Sequence, residues 1–237
     1  MNPRWRYVGM AAIIVTASPA VPAIAAPSCS GPLEIVEARP AAIKAAVLST
    51  GKTVLTFSGY SGAEYEDPAA LRAAVVAVLE GHDPAGTLVN IGATQVGIGA
   101  AYELAKGRGF STMGIVSSLA RDEQVPFAPC VDVVFLVPDT IWGGRWPGTR
   151  HLSPTSAAMV DTGAEFVAIG GGEVTRDEML AARQAGKPVH YVPADMSHAI
   201  ARRKATAKGM PAPTDFKGAA HSALAGKGPQ IPSGRGK

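Results

Sequence analysis

The feature that most constrains the fold of this chain is a series of short apolar segments separated by helical ones. The apolar segments are rich in Val and Ile and lack polar–apolar alternation, which is typical of strands covered by helices on both faces. They occupy residues 53–57, 87–91, 112–116, 131–137, 166–169 and 189–192. Helices are predicted over residues 41–48, 68–80, 97–106 and 175–185. Because strands that alternate with helices form parallel sheets through right-handed crossovers, we predict an α/β, Rossmann-like three-layer fold with a mostly parallel sheet flanked by helices.

The first 25 residues have the composition of a secretory signal peptide. A basic start with Arg4 and Arg6 precedes a short apolar stretch and a small-residue site that ends at Ala25. The alternative is a membrane anchor, but the apolar stretch is short and interrupted by prolines. We therefore predict a signal peptide over residues 1–25, cleavage after Ala25, a periplasmic or secreted product, and no stable membrane span after cleavage.

The rest of the chain divides into one domain and a tail. A chain of 237 residues, 47% of them hydrophobic, is long enough for a globular domain with a sizeable core, which we place at residues 26–208. Residues 209–237 are rich in Gly, Pro and Lys, and we predict a disordered basic tail there. The two cysteines, Cys29 and Cys130, either form a disulfide in an oxidising compartment or remain unpaired, and the sequence leaves both possibilities open.

The charge of the chain argues against nucleic acid as its main partner. The formal net charge is +3, and removing Arg4 and Arg6 leaves +1. Binding to a phosphate backbone needs a clustered basic surface, which this balance does not indicate. The five histidines are scattered without metal-ligand spacing, so we predict no metal site and no cofactor.

Two glycine-rich turns each follow an apolar strand and precede a helical stretch. Glycine at such a turn lets the backbone approach a ligand closely, and the following helix directs unpaired N–H groups and a partial positive charge at it. Two such turns in one small domain predict a nucleotide or another phosphorylated small molecule as the ligand. The predicted contacts are Gly92, Gly97, Gly99, Gly171, Gly172 and Thr175.

Neither turn has the spacing of a common nucleotide-binding motif. The first turn lacks the Gly-x-Gly-x-x-Gly spacing, and residues 115–118 hold no acidic residue where a dinucleotide site needs one to bind a ribose. The chain also lacks a Gly-Lys-Ser/Thr phosphate loop. These observations disfavour NAD binding of the usual kind and P-loop ATP hydrolysis.

Three segments of the chain resemble the LOG family, the "lysine decarboxylase-like" proteins associated with cytokinin-activating phosphoribohydrolases in the SLOG superfamily. Residues 92–99 resemble its first glycine motif, and residues 170–178, which end at Glu178, are similar to its Pro-Gly-Gly-x-Gly-Thr-x-x-Glu motif. Residues 57–62 resemble its first strand and small-residue turn, which adds Gly59 and Ser61 to the predicted nucleotide- or phosphate-binding residues. The resemblance implies a Rossmann-like fold, often dimeric, with a nucleoside monophosphate-type ligand between the turns. It also implies that Glu178 holds ribose hydroxyls and takes part in cleaving the N-glycosidic bond.

The chain departs from the family pattern at positions that matter for this reaction. The fourth glycine of the second motif falls on Val174, a β-branched residue that does not readily adopt positive φ. The Arg-Lys pair of active members, whose arginine works with the glutamate, falls on Thr155 and Ser156, while Arg145 and Arg150 lie in a nearby loop as possible substitutes. The sequence therefore favours an exported domain that binds a nucleotide or nucleotide-sugar phosphate, with a non-catalytic interaction module as the alternative.

Two segments have further interpretations that need no nucleotide. Thr175 and Glu178 have the spacing of a capping box, in which the two side chains satisfy backbone donors at a helix start. The loop with Trp142 and Trp146 either stacks on a base beside its arginines or packs on the domain or on a dimer partner.

A third class of function is a serine hydrolase. Residues 59–63 approximate the nucleophile elbow Gly-x-Ser-x-Gly around Ser61. Such a serine needs a histidine and an acid at the ends of other strands. The candidates are His190, His198, Asp139 and Asp195.

Overall fold

The computed structural model describes residues 29–226, so the predicted signal peptide, its cleavage after Ala25 and residues 227–237 lie outside the described residues. Seven strands form one sheet: β1 (Glu34–Glu37), β2 (Thr53–Gly59), β3 (Thr87–Ile91), β4 (Ser111–Ser117), β5 (Val133–Val137), β6 (Glu165–Ile169) and β7 (Val189–Val192). All of the strand pairs are parallel, and the strand order is β1-β5-β4-β3-β2-β6-β7.

The helices connect these strands in chain order. They are α1 (Pro40–Ser49), α2 (Pro68–Leu79), α3 (Ala100–Lys106), α4 (Leu119–Asp122), α5 (Pro154–Thr162), α6 (Glu173–Gln184), α7 (His198–Ala207) and α8 (Ala219–Leu224), with a short 3₁₀ turn at Gly97–Gly99. Within residues 29–226, no helix combines the length and the apolar character that crossing a bilayer requires.

The sheet separates two apolar layers, as the period of two along a strand requires. On β6, Val167 and Ile169 pack with α2 and α3 on one face, whereas Phe166 and Ala168 pack with α6 and α8 on the other. Helices α1 and α5 cover the second face over the other half of the sheet. The α/β three-layer prediction is therefore confirmed, and the six predicted strands correspond to β2–β7.

Five elements, which are β1, α4, α5, α7 and α8, were not anticipated by the hydrophobic pattern. Strand β1 is only four residues long, contains two glutamates and lies at the sheet edge, so it carries no continuous apolar signal. Helix α8 lies in the region that the composition predicts as disordered, and Ala220 and Leu224 are fully buried against α6. The prediction of a disordered tail from residue 209 is therefore wrong for residues 219–224, since even a few buried apolar side chains order a segment that is otherwise polar.

The two cysteines form a disulfide, which resolves the alternative left open by the sequence. Cys29 is bonded to Cys130, so the first described residue is tied to the segment that precedes β5. This bond closes a long loop that contains β1 to β4.

Candidate functional site

The order of the strands creates a crevice at the centre of the sheet. From β2 the chain proceeds through β3, β4 and β5 toward one edge, and then returns to the other side of β2 to form β6 and β7. Connections that leave in opposite directions open a space beyond the carboxyl ends of the strands, where ligands bind in open α/β sheets. A cavity of about 440 Å³ lies there, bordered by the ends of β2, β3 and β4 and by α5 and α6. This volume is within the range of small-molecule sites.

The walls of the cavity are mostly apolar. Ile91, Ile98, Ile115, Met159 and Phe127 supply much of the lining. The mouth also exposes large apolar side chains, which are Val96, Val125, Trp142 and Val174. Among the described residues that line the cavity there is no Lys, Arg or His, and the single ionisable side chain is Glu178.

Glu178 is buried in a cluster of hydroxyl groups from three elements. The Ser156 hydroxyl of α5 donates to Glu178 Oε1 at 2.7 Å, and the Ser58 hydroxyl of β2 lies 3.4 Å from Oε2. Ser58 also bonds the Thr175 hydroxyl at 3.0 Å. Burial raises the pKa of the Glu178 carboxyl to about 7, even though the two serine hydroxyls stabilise its charged form. Glu178 therefore exchanges a proton near neutral pH.

The tryptophan-containing loop is attached directly to this cluster. Ser156 Oγ accepts the backbone N–H of Gly144 at 2.7 Å, and Asp177 Oδ2 accepts the N–H of Arg145 at 3.2 Å. Gly143 and Gly144 both have positive φ, and a Cβ on Gly143 would press on Ser156 and Val174. The glycines thus let the loop pass close to α5 and α6, and Trp142 lies at the cavity mouth.

A second buried carboxylate positions α5. Asp139 accepts the backbone N–H of Thr155 at 2.9 Å and that of Ile141 at 3.2 Å. Burial alone would raise the pKa of Asp139, but these donors outweigh it and hold the pKa below its usual range. Asp139 therefore remains charged at the start of α5, where a helix favours a negative group.

The first glycine turn contributes to the cavity unevenly. Gly92 lines it, whereas Gly97 and Gly99 do not. A Cβ on Gly97 would clash with the Tyr60 carbonyl oxygen, and one on Gly99 would clash with the Thr94 carbonyl oxygen. These two glycines are required for close packing of backbone on backbone.

The second turn reaches the same region from the opposite side of β2. Gly171 and Gly172 do not line the cavity, but Thr175 does. Gly172 is the N-cap of α6, so Val174 lies within the first helical turn and needs no positive φ. The capping-box interpretation is wrong, because α6 begins at Glu173 and the side chains of Thr175 and Glu178 bond Ser58 instead.

The residues of the proposed serine triad are not brought together. Gly59 and Ser61 line the cavity, but none of the described histidines hydrogen-bonds Ser61. His190 lies 3.4 Å from Glu165, and His198 lies between Glu66 and Asp195. Asp139 is occupied at the start of α5.

Neither candidate arginine takes the place of the family's cation. Arg145 and Arg150 do not line the cavity, whereas Thr155 and Ser156, which stand at the family's Arg-Lys positions, lie beside it. Ser156 is the direct partner of Glu178. In the described part of the chain, no three His, Cys, Asp or Glu side chains group as metal ligands.

Sequence reasoning missed three residues of the polar cluster. Ser58, Thr155 and Ser156 are buried, and Ser58 and Thr155 line the cavity. The available signal was Ser58 inside an otherwise apolar strand. A polar residue buried in a strand generally faces a partner or a ligand.

Comparisons with known proteins add a distant structural likeness. The Moco carrier protein from Chlamydomonas reinhardtii matches at a TM-score of 0.43 and 18% identity, over 67% of this chain and 85% of that chain. A molybdenum cofactor binding protein from Rippkaea orientalis matches at a TM-score of 0.42 and 20% identity, over 67% and 85%. The structure described as TM1055 matches at a TM-score of 0.41 and 20% identity, over 58% and 72%. No protein-family model and no curated protein matches the chain. At these values the likeness carries no inference about function.

Proposed function

We propose that this domain binds a nucleotide or a related phosphorylated small molecule in the cavity beyond β2, β3 and β4. The observation that carries the proposal is the cavity itself, an apolar space of about 440 Å³ at the point where the strand order reverses. Its apolar walls suit a base. The first turn of α6, which contributes Val174 and Thr175, has N–H groups without intrahelical partners and suits a phosphate.

Substitution of Gly172 tests the phosphate contact. A Cβ at Gly172 meets no atom within 4 Å, and its φ of −90° is accessible to any residue, so Gly172→Ala is a matched control. We expect Gly172→Asp to weaken binding of adenosine 5'-monophosphate about tenfold or more, because it places a charge at the helix N-terminus. Titration calorimetry measures the affinities. Equal affinity in the Asp variant and the Ala control contradicts the phosphate contact.

A second candidate function is hydrolysis of the N-glycosidic bond of a nucleoside 5'-monophosphate. The observation that favours it is Glu178, a buried cavity residue with a pKa raised to about 7. A general acid or base is most effective when its pKa is near the operating pH. The positions expected for the family's Arg-Lys pair hold Thr155 and Ser156, and no Lys or Arg lines the cavity among the described residues, so binding without turnover is the first proposal.

Incubation with adenosine 5'-monophosphate separates the two functions. If the protein is an N-glycosidase, chromatography detects free adenine, and Glu178→Gln abolishes its release while the ligand still binds. If no adenine forms while the nucleotide binds, the domain is a binding module.

We also propose that the protein is exported. The basic and apolar N-terminal residues support this, and so does the Cys29–Cys130 disulfide, since such bonds persist in oxidising compartments. Mass spectrometry of the protein from its native host should show a mature chain that starts at Ala26. An intact Met1 would contradict export by cleavage.

The possible homodimer stays a prediction.

A further inference from the structure

The cavity has a carboxyl group at its inner end and a lysine beside its rim. Glu178 lies at the inner end, among Ser58, Ser156 and Thr175. At the mouth, the Lys204 ammonium of α7 donates to the carbonyl oxygen of Gly62 at 2.9 Å, and Gly62 lines the cavity.

The inner end is unsuitable for an anionic group. A phosphate there would lie beside the carboxylate of Glu178, with no Lys, Arg or His among the described lining residues to compensate the repulsion. The groups present at this end are the Glu178 carboxyl and the hydroxyls of Ser58 and Thr175. Such groups accept hydrogen bonds from N–H donors.

The mouth has the opposite character. Ser61 and Gly62 form its edge beside Lys204, and the first turn of α6 approaches through Val174. Lys204 is exposed and does not itself line the cavity, but its hydrogen bond to the Gly62 carbonyl oxygen holds the ammonium beside the rim. A lysine ammonium and free helix N–H groups both favour an anion.

We propose that the ligand binds in one orientation, with a nitrogen heterocycle at Glu178 and its phosphate at the mouth, where Lys204 recognises it. This inference rests on the proposed function and assigns Lys204 as the residue that distinguishes a phosphorylated ligand from its neutral parent. The apolar walls contact the remainder of the ligand, which therefore has an uncharged middle.

The test compares adenosine 5'-monophosphate with adenosine in titration calorimetry. We expect Lys204→Met to weaken binding of the monophosphate about tenfold, as for loss of one charge-assisted hydrogen bond, and to leave adenosine unaffected. Arg203→Met is the matched control, because Arg203 is an exposed cation one residue earlier on α7 and, unlike Lys204, does not hydrogen-bond the cavity residue Gly62. It should change neither affinity.

A second variant tests the inner end. Glu178→Gln removes the charge at nearly constant volume, and we expect it to weaken adenosine and its monophosphate by the same factor. If the phosphate instead lies at the inner end, Glu178→Gln strengthens the monophosphate and Lys204→Met has no effect. That result overturns the orientation and leaves the proposed function intact. If the wild-type protein binds neither compound, the proposed function fails together with the inference.

Discussion

The two glycine turns differ in what holds them in place. The first is supported by the segment before β5: the Ala128 N–H donates to the Ala93 carbonyl oxygen at 2.9 Å, and the Cys29–Cys130 disulfide ties this segment down. The second is supported without a covalent bond by the C-terminal segment, whose Ala220 N–H donates to the Gly171 carbonyl oxygen at 3.2 Å.

Tyr60 lies between the two turns and contacts both. Its carbonyl oxygen accepts the N–H of Ile98 at 2.7 Å in the first turn, and its ring lies so close to Gly170 of the second turn that a Cβ there would clash with it. Its hydroxyl accepts the N–H of Gly218 at 2.7 Å, in the C-terminal segment that supports the second turn. The turns therefore converge on one residue after β2. Gly97 and Gly99 pack against backbone, and Gly170 and Gly171 pack against Tyr60 and Thr175, so the glycine pattern locates the cavity better than it identifies the ligand contacts.

Removing the Cys29–Cys130 disulfide, which supports the first turn, should have the largest effect on stability. We expect the double variant Cys29→Ser, Cys130→Ser to lose about 4 kcal/mol of unfolding free energy, since the disulfide spans 101 residues and constrains the unfolded chain. Denaturant unfolding measures the loss. The wild-type protein under reducing conditions should match the variant, and a reduced protein as stable as the oxidised one would contradict this account.

Removing the non-covalent support should have a somewhat smaller effect. Deletion of residues 210–237 removes the buried Leu224 side chain and the hydrogen bonds of Gly218 and Ala220. We expect a loss of about 3 kcal/mol of unfolding free energy, because the deletion removes the burial of one large apolar side chain and a hydrogen bond that contributes about 1 kcal/mol net. Deletion of residues 227–237 alone is the control and should leave stability unchanged. Equal stability of the two truncated chains would show that α8 does not support the second turn.

Substituting one glycine in each turn compares a closely packed position with one that faces open space. Gly97 has a φ of +61° and faces the Tyr60 and Ser61 carbonyl oxygens, whereas Gly172 faces open space. We expect Gly97→Ala to cost about 2–3 kcal/mol through strain and displacement of the backbone, and Gly172→Ala to cost about 0.5 kcal/mol or less. Thermal and denaturant unfolding of the two variants gives the difference. A loss at Gly97 as small as that at Gly172 would mean that the first turn does not depend on close packing.

The parallel sheet could be predicted from the sequence because its information is local. A run such as 166–169 is continuously apolar, and both of its faces are covered in the structure. Helix α8 could not be predicted in this way, since only Ala220 and Leu224 are buried among polar, Gly and Pro residues, and their partner α6 is distant in sequence.

The sequence predicted the position of the site but not its cluster of polar side chains. Gly92, Thr175 and Glu178 were found because each belongs to a glycine motif. The contact of Ser58 and Ser156 with Glu178 depends on β2, α5 and α6 meeting in space, and no spacing along the chain encodes it.

The smallest effect we expect concerns the ionisable group beside the second turn. Glu178 has a folded-state pKa of about 7 against 4.5 in the unfolded chain, so the folded state binds more protons between these values. The contribution of Glu178 is therefore greatest at low pH and is lost as the pH rises toward and past 7, by roughly 2 kcal/mol between pH 5 and pH 8. Because other groups titrate in this range, the measurement is the difference in unfolding free energy between the wild-type protein and Glu178→Gln. That difference should shift in favour of the Gln variant as the pH rises. Amide hydrogen exchange of the wild-type protein should change with pH mainly near α6 and not at the first turn. A difference that stays constant across this range would show that the Glu178 carboxyl titrates normally, and would remove the reason to consider it as an acid or base.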